Sequence, residues 1–443
     1  MTSQVPLQSP LAELQNRFCI IDVNGDIRIL DRSQIKQARE GTYRGEISFY
    51  KKPDGGWMMH RHLESLFIPC KPKDEIANFW INPSTVMYNQ IAFTPELVPA
   101  RTLNYWTGHT VTPAKGDCSL ITNYLLEVIC DGDEPSYCYL IKFIAHMLQY
   151  PEEKPGVVPV LLGGQGTGKG VFFQLLRSIW TRTTLQVSNV NEVVGTFNAA
   201  LERNYIVCMD EALFSGDKRS MDRLKSIVTE PVIRIEQKHQ PSRCIDSKHR
   251  FFAASNHDHF GPVDRDDRRF FFLRVSSCRQ QDVIYFRTLC DSFNDGVTLE
   301  ALVDFLLNLD LTGFSVRTRP KTNEHSRQKL QSLSGFERYW HEVLCTGNFS
   351  CGGLVLDEWK DPVFKATSLI LEDYKEFDKQ AGKYAAVQAG LISEMLKKLC
   401  TSAVPNRTMV VNKQYRGFDL PSISKAREEF EVHLGCSIDW DDS

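Results

Sequence analysis

Apolar residues run almost unbroken at four places in the middle of the chain: Val157 to Leu162, Tyr205 to Met209, Phe251 to Ala254 and Phe270 to Leu273. Such short runs, bounded by polar or glycine-rich sequence, predict strands buried on both faces, as in parallel sheets covered by helices. The spacing changes elsewhere. Leu120, Ile121, Tyr124, Leu125, Val128 and Ile129 recur at helical intervals, as do Leu140, Ile141, Phe143, Ile144, Met147 and Leu148. Residues 281–310 also read as helices. Near the start, Phe18 to Val23 and Asp26 to Leu30 flank Asn24-Gly25, a hairpin signal. Residues 1–15 read as loosely ordered. Near the end, helical spacing in 369–377 and 387–399, strands at 408–411 and 415–418 and a helix over 423–434 predict a winged-helix outline.

These patterns predict an α/β protein in four parts. Residues 1–103 form a small α+β module and 104–150 a helical region. Residues 151–325 hold the central sheet and its helical extension. Residues 326–443 form the winged-helix-like C-terminal domain, beyond a polar, proline-containing boundary at 317–322.

The chemistry sits at the ends of the buried runs. Gly163-Gly164-Gln165-Gly166-Thr167-Gly168-Lys169-Gly170 follows the first run and precedes the helical Val171-Phe172-Phe173. Strand, glycine-rich turn and helix start are the context of a phosphate-binding loop, whose backbone N–H groups cradle phosphates at a helix N-terminus. Lys169 would place its charge on the β- and γ-phosphates of ATP. The Ser/Thr hydroxyl that ordinarily follows the lysine and holds Mg²⁺ is replaced by Gly170. Asp210-Glu211 ends the second run, a Walker B signal: Asp210 to hold Mg²⁺ directly or through water, Glu211 beside the metal to polarise the attacking water. Asn256 ends the third run, where an amide could orient that water; its bland reading is a turn cap. Arg268 and Arg269 precede the fourth run. Either could reach a neighbouring subunit's nucleotide as an arginine finger, or form a surface ion pair with Asp264, Asp266 or Asp267.

The order of these parts resembles superfamily-3 helicases, the hexameric AAA+ motors of small viruses, phages and mobile elements. The segment from Ile235 through Lys238 and His239, with Arg243 and Lys248, looks like the pore hairpin of the papillomavirus replicative helicase. The resemblance is nearest to the helicase part of phage and plasmid primase-helicases. It runs from about Asn104 to about Trp340 and includes Trp106-Thr107-Gly108, Gly116-Asp117-Cys118, Phe197-Asn198, Leu224-Lys225 and Pro320-Lys321-Thr322. It implies an AAA+ core, ATP and Mg²⁺ as cofactors, a homohexamer, single-stranded or forked DNA as partner, and DNA contacts from Lys238, His239, Arg243 and Lys248. It also implies action in a bacterial cytoplasm, with a separate primase or polymerase as a further partner. In that family glycine often stands at the Gly170 position.

Composition sets limits. With 42% hydrophobic and 24% charged residues the chain reads as ordinary globular protein. No apolar run reaches the ~20 residues of a membrane span, and the start lacks a secretory pattern. The 13 cysteines never fall in a Cys-x-x-Cys pair and read as reduced thiols. A net charge of −3 argues against binding along a broadly basic surface, but not against a local basic channel. Two such localities stand out: the hairpin, and residues 395–427 with Lys397, Lys398, Arg407, Lys413, Arg416, Lys425 and Arg427. Asp131-Gly132-Asp133 reads as a solvated loop rather than a polymerase metal site. A DNA-binding initiator or regulator that uses ATP as an assembly switch is the alternative function, and an inactive ATPase a third.

Overall fold

The computed structural model describes residues 9–23, 25–39, 47–211, 218–238, 241–333, 335–351, 354–355, 359–380, 389–410 and 413–440. Two compact units emerge: Met1–Phe260 with Arg268–Pro320, and Gly261–Asp267 with Lys321–Ser443.

The first unit is built on a five-stranded parallel sheet. Its strands are β1 (Val158–Leu162), β2 (Thr184–Val187), β3 (Ile206–Met209), β4 (Arg250–Ser255) and β5 (Phe270–Arg274), in spatial order β5-β1-β4-β3-β2. β1, β3 and β4 are buried at every residue. A parallel sheet needs a crossover between strands, so helices cover its faces and the strands carry continuous apolar side chains. Helix α1 (Lys169–Ile179) follows β1 and buries Phe172, Phe173, Leu175, Leu176 and Ile179. Glu134–Gln149 buries Leu140, Phe143, Ile144 and Met147 in the same core. Of the 120–129 stretch, Ser119–Asn123 is α-helical and Tyr124–Ile129 is widened to a π-helix. Helices Val283–Ser292 and Thr298–Leu307 follow the sheet.

The N-terminal residues belong to this unit. Phe18–Val23 pairs antiparallel with Asp26–Asp31, Val23 opposite Asp26 across the turn. The alternation sends Phe18 and Ile20 into a small core with Leu14, Met59, Leu63 and Phe79. Cys19, Ile21 and Val23 point the other way, into the large core that also holds Phe172 and Phe252. Residues 10–15, read above as loosely ordered, lie within a helix, Pro10–Arg17. Ser9 caps it, Pro10 opens it with a φ already helical, and Leu14 is fully buried. Asp133 is likewise more than a loop residue, since its carboxylate accepts from the Ser136 N–H and caps Glu134–Gln149.

The second unit packs Phe336, Tyr339, Trp340, Trp359, Ile370, Tyr374, Leu396, Phe418 and Phe430 into its own core. Helices Thr367–Gln380, Ala389–Leu399 and Ile423–Leu434 accompany a three-stranded antiparallel sheet with Lys413–Leu420 between Val363–Ala366 and Val404–Val410. Among the described residues, no helix is long and apolar enough to cross a membrane.

Candidate functional site

The loop from Gly163 to Gly168 leaves the carboxyl end of β1 and enters α1. Gly166 and Gly168 have φ of 77° and 103°, which a side chain would strain, and Gly168 is the N-cap of α1. A Cβ on Gly168 would also lie 2.7 Å from the Phe286 ring. Gly164, Gln165, Gly166 and Gly170 are exposed, so the turn presents its backbone at the surface. Thr167 is buried, and its hydroxyl donates to the Gly164 carbonyl at 2.9 Å. Val171 is half-buried, one residue into the helix beyond Gly170. Lys169 lies back along the loop, its Nζ donating to the carbonyls of Gly163 and Gly164, both at 2.7 Å. It is only 7% exposed. That burial lowers its pKa from the usual lysine value, while the Asp210 carboxylate acts in the opposite sense.

Strand register brings the other candidates to the same edge. Leu162 lies beside Ser255 on β4, and Met209 on β3 lies beside Ala253. Since all strands run parallel, Gly163, Asp210 and Asn256 leave the sheet at its carboxyl edge, where ligands bind in open α/β sheets. Asp210 is half-buried, and its Oδ2 accepts from Gln186 Nε2 at 2.9 Å. Glu211 is exposed with φ of 54°, in the left-handed region, and its N–H donates to Asp210 Oδ1 at 3.1 Å. Asn256 is exposed beyond β4, while the preceding Ser255 is buried and takes the His257 N–H.

Arg268 and Arg269 lie at the opposite edge. The Val158 N–H, at the start of β1, donates to the Arg269 carbonyl at 2.7 Å. Arg268 is exposed and Arg269 half-buried.

The hairpin pairs Val232–Ile235 with Arg243–Asp246. Asn198 clamps its first strand: its Nδ2 donates to the Arg234 carbonyl at 3.0 Å, and its Oδ1 accepts from the Glu236 N–H at 2.9 Å. Lys238 is exposed, while His239 lies outside the described residues. Glu236 pairs with Arg234 at 3.2 Å. Arg243 corrects the sequence reading. It is 5% exposed, and its guanidinium grips the buried Glu202 carboxylate through Nε and Nη2. It therefore anchors the hairpin base instead of reaching toward DNA. Lys248 is also engaged, 3.7 Å from Glu96. In the C-terminal basic stretch, Arg427 is committed to the Leu344 carbonyl and Lys425 to Glu428.

Residues 161–269, from the end of β1 to the start of β5, match a family of unknown function, DUF5906. The DNA primase-polymerase of Nitratiruptor phage NrS-1 is 30% identical over 164 residues, which is 36% of this chain but 22% of that protein. The chain thus matches about a fifth of its relative's length. The apo C-terminal region of NrS-1 superposes with a TM-score of 0.62 at 16% identity, covering 93% of this chain and 99% of that one. Its A form gives 0.60 with the same coverage. The chain shares the fold of that region.

Four residues that the sequence reading missed complete the loop's surroundings. Gln280 Nε2 donates to the Gln165 carbonyl at 2.9 Å, and the Gln281 N–H donates to the Gly166 carbonyl at 3.1 Å. Gln281 has φ of 62°. The Tyr124 hydroxyl, on the π-helix, donates to the Gly168 carbonyl at 3.0 Å, and Phe286 packs on Gly168. Asp282, three residues before Tyr285, caps the following helix; that capping spacing was the one local signal for the segment.

Proposed function

We propose that the chain is the ATP-hydrolysing DNA motor of a phage-type replication protein, acting as a ring of identical subunits with an AAA+ P-loop core. The observation that carries this reading is the convergence of the glycine loop, Asp210-Glu211 and Asn256 at one edge of a parallel sheet. Similarity to a phage primase-polymerase supports the replication context. The fold shared with the NrS-1 C-terminal region fits the same assignment.

In this reading the loop N–H groups and the α1 terminus bind the phosphates. Lys169 must exchange its bonds to Gly163 and Gly164 for contacts with phosphate oxygens. The trade favours a charged lysine, because the partner is then an anion. Glu211 takes the proton from the attacking water, Asn256 orients that water, and Arg268 of a neighbouring subunit stabilises charge on the transferred group. Asp210 is the residue suited to Mg²⁺: a half-buried carboxylate held in place by Gln186, of the hard oxygen type this ion prefers. Bound there, the ion neutralises phosphate charge.

The alternative is an assembly switch that binds ATP without turning it over, favoured by the missing hydroxyl at Gly170. One experiment separates the two. ATP hydrolysis by the wild type and by Lys169→Ala is followed with and without oligothymidylate, alongside unwinding of a forked duplex. The motor reading expects DNA-stimulated turnover and strand separation in the wild type and neither in the variant. ATP binding without turnover would select the switch, and wild-type turnover in Lys169→Ala would remove the loop assignment.

A further inference from the structure

The strand order β5-β1-β4 places Arg274 and Ser255, the last residues of β5 and β4, on either side of Leu162, the last residue of β1. The glycine loop leaves between them. Backbone bonds tie its start to both neighbours. The Gly163 N–H donates to the Ser255 carbonyl at 3.3 Å, and the Val275 N–H donates to the Leu162 carbonyl at 2.7 Å. A Cβ built on Gly163 would lie 3.2 Å from the Val275 carbonyl oxygen, so the chain just beyond Arg274 abuts the loop where it begins.

An ion pair spans this exit. Arg274 Nη1 donates to Asp258 Oδ1 at 2.7 Å. Arg274 ends β5 and Asp258 lies three residues beyond β4, so the pair reaches across the end of β1, over two strand spacings or roughly 10 Å. The Arg274 side chain is 29% exposed and that of Asp258 76%. A pair so open to water contributes little stability, because screening and the entropy of holding two side chains offset its attraction. What it fixes is the path of the chain after β4. Asn256 sits on that path between two pins. On one side the buried Ser255 hydroxyl accepts from the His257 N–H at 3.1 Å, and on the other Asp258 is held by Arg274. Asn256 itself is exposed, and its side-chain amide bonds to no other described residue.

We propose that Arg274 and Asp258 are positioning residues for ATP hydrolysis: their ion pair fixes the segment carrying Asn256 beside the mouth of the loop, and so aims its amide at the attacking water. The assignment rests on the motor reading above. It gives the two ends of β5 different tasks. Arg268, before its start, serves a neighbouring subunit in that reading, whereas Arg274, at its end, lies beside its own subunit's loop. Neither Arg274 nor Asp258 has to touch the nucleotide. The demand on them is precision, since a displacement of about 1 Å in a group that orients a reactant can cost ~100-fold in rate.

The test is steady-state ATP hydrolysis by the full chain with saturating oligothymidylate, alongside equilibrium binding of a fluorescent ATP analogue. Asp258→Asn and Arg274→Gln should each lower kcat by ~10- to 100-fold and leave analogue binding unchanged. The double variant should be no slower than the worse single one, because both remove the same contact; independent roles would multiply the losses. Asp258→Glu, which keeps a carboxylate, should recover most of the rate. Urea unfolding of all four variants should match the wild type, which separates aim from folding. Unchanged kcat in Asp258→Asn, with Lys169→Ala inactive, would overturn the proposal and leave the motor reading standing. So would multiplied losses in the double variant, or lost analogue binding in Arg274→Gln, which would put that arginine on the nucleotide itself. A wild type that binds ATP and never hydrolyses it would overturn the motor reading, and the proposal with it.

Discussion

Arg243 and Glu202 lie 41 residues apart and close on one another inside the first unit, with their side chains 5% and 7% exposed. The fork of one guanidinium meets both carboxylate oxygens, and the Arg243 guanidinium lies 5.1 Å from the centre of the Phe49 ring. The pair ties the base of the hairpin to the short helix Ala199–Arg203. Breaking one side of such a pair leaves an uncompensated buried charge. Glu202→Ala should therefore cost ~3–5 kcal/mol in denaturant unfolding, whereas Lys238→Ala, on the exposed turn, should stay within ~0.5 kcal/mol. If the two variants were equally stable, the hairpin base would not be held by this pair.

Gly170 is sterically free, because a Cβ built there meets no atom within 4 Å. Gly170→Ser should fold normally and gain ~0.5 kcal/mol of helix propensity in the first turn of α1. Under the motor reading, the added hydroxyl should lower the Mg²⁺ concentration for half-maximal ATP binding about tenfold, equivalent to ~1.4 kcal/mol. Titration of Mg²⁺ against a fluorescent ATP analogue checks this. An unchanged midpoint would mean that the metal does not sit beside position 170.

Arg268 adjoins the start of β5, while the glycine loop leaves the far end of β1. The two strands are parallel and in register from Phe270 beside Val158 to Arg274 beside Leu162. Five residues of strand separate the edges by roughly 16 Å. An arginine so placed cannot easily serve its own loop, and under the proposed ring it would serve a neighbouring subunit's. Arg268→Ala should lower ATP turnover by ~10³, and mixing it with inactive Lys169→Ala subunits should recover part of the rate. Inactivity of every mixture, with both variants still assembling, would exclude the trans role and turn attention to Arg269.

His249 is buried beneath the hairpin base. Its Nε2 lies 2.8 Å from the Leu201 carbonyl and its Nδ1 2.9 Å from Ser247 Oγ, which in turn accepts from Lys154 at 2.6 Å. Burial pushes its pKa down to about 3; the bond to Leu201 opposes the shift, and Lys154 and Arg250 add to it. The unfolded imidazole takes its proton near pH 6.5, before the folded one does, so the unfolded state binds more protons between about 6.5 and 3. Stability from this group is complete above 6.5 and declines as pH falls toward 3, by an amount on the order of a few kcal/mol. Urea unfolding at pH 7 and pH 5 should show a smaller loss for His249→Phe than for the wild type. Equal losses would mean that carboxylates alone set the acid sensitivity.

Much of the core was legible in the sequence because it rests on local physics. Continuous apolar runs can sit only where both faces are covered, and the four runs became β1, β3, β4 and β5. Gly166 and Gly168 occupy backbone regions that other residues avoid, so their spacing after a strand was informative on its own. β2, with only Val187 buried, gave too weak a pattern to be read. The tertiary structure decided which charges are available. Arg243 and Lys238 looked alike as hairpin cations, yet strand alternation puts Arg243 on the inward face with Ile245, where only the fold supplies Glu202. The Gln280 and Gln281 bonds to the loop lie equally beyond sequence. Each joins residues tens of positions apart, and periodicity carries no information about which distant side chains folding will bring together.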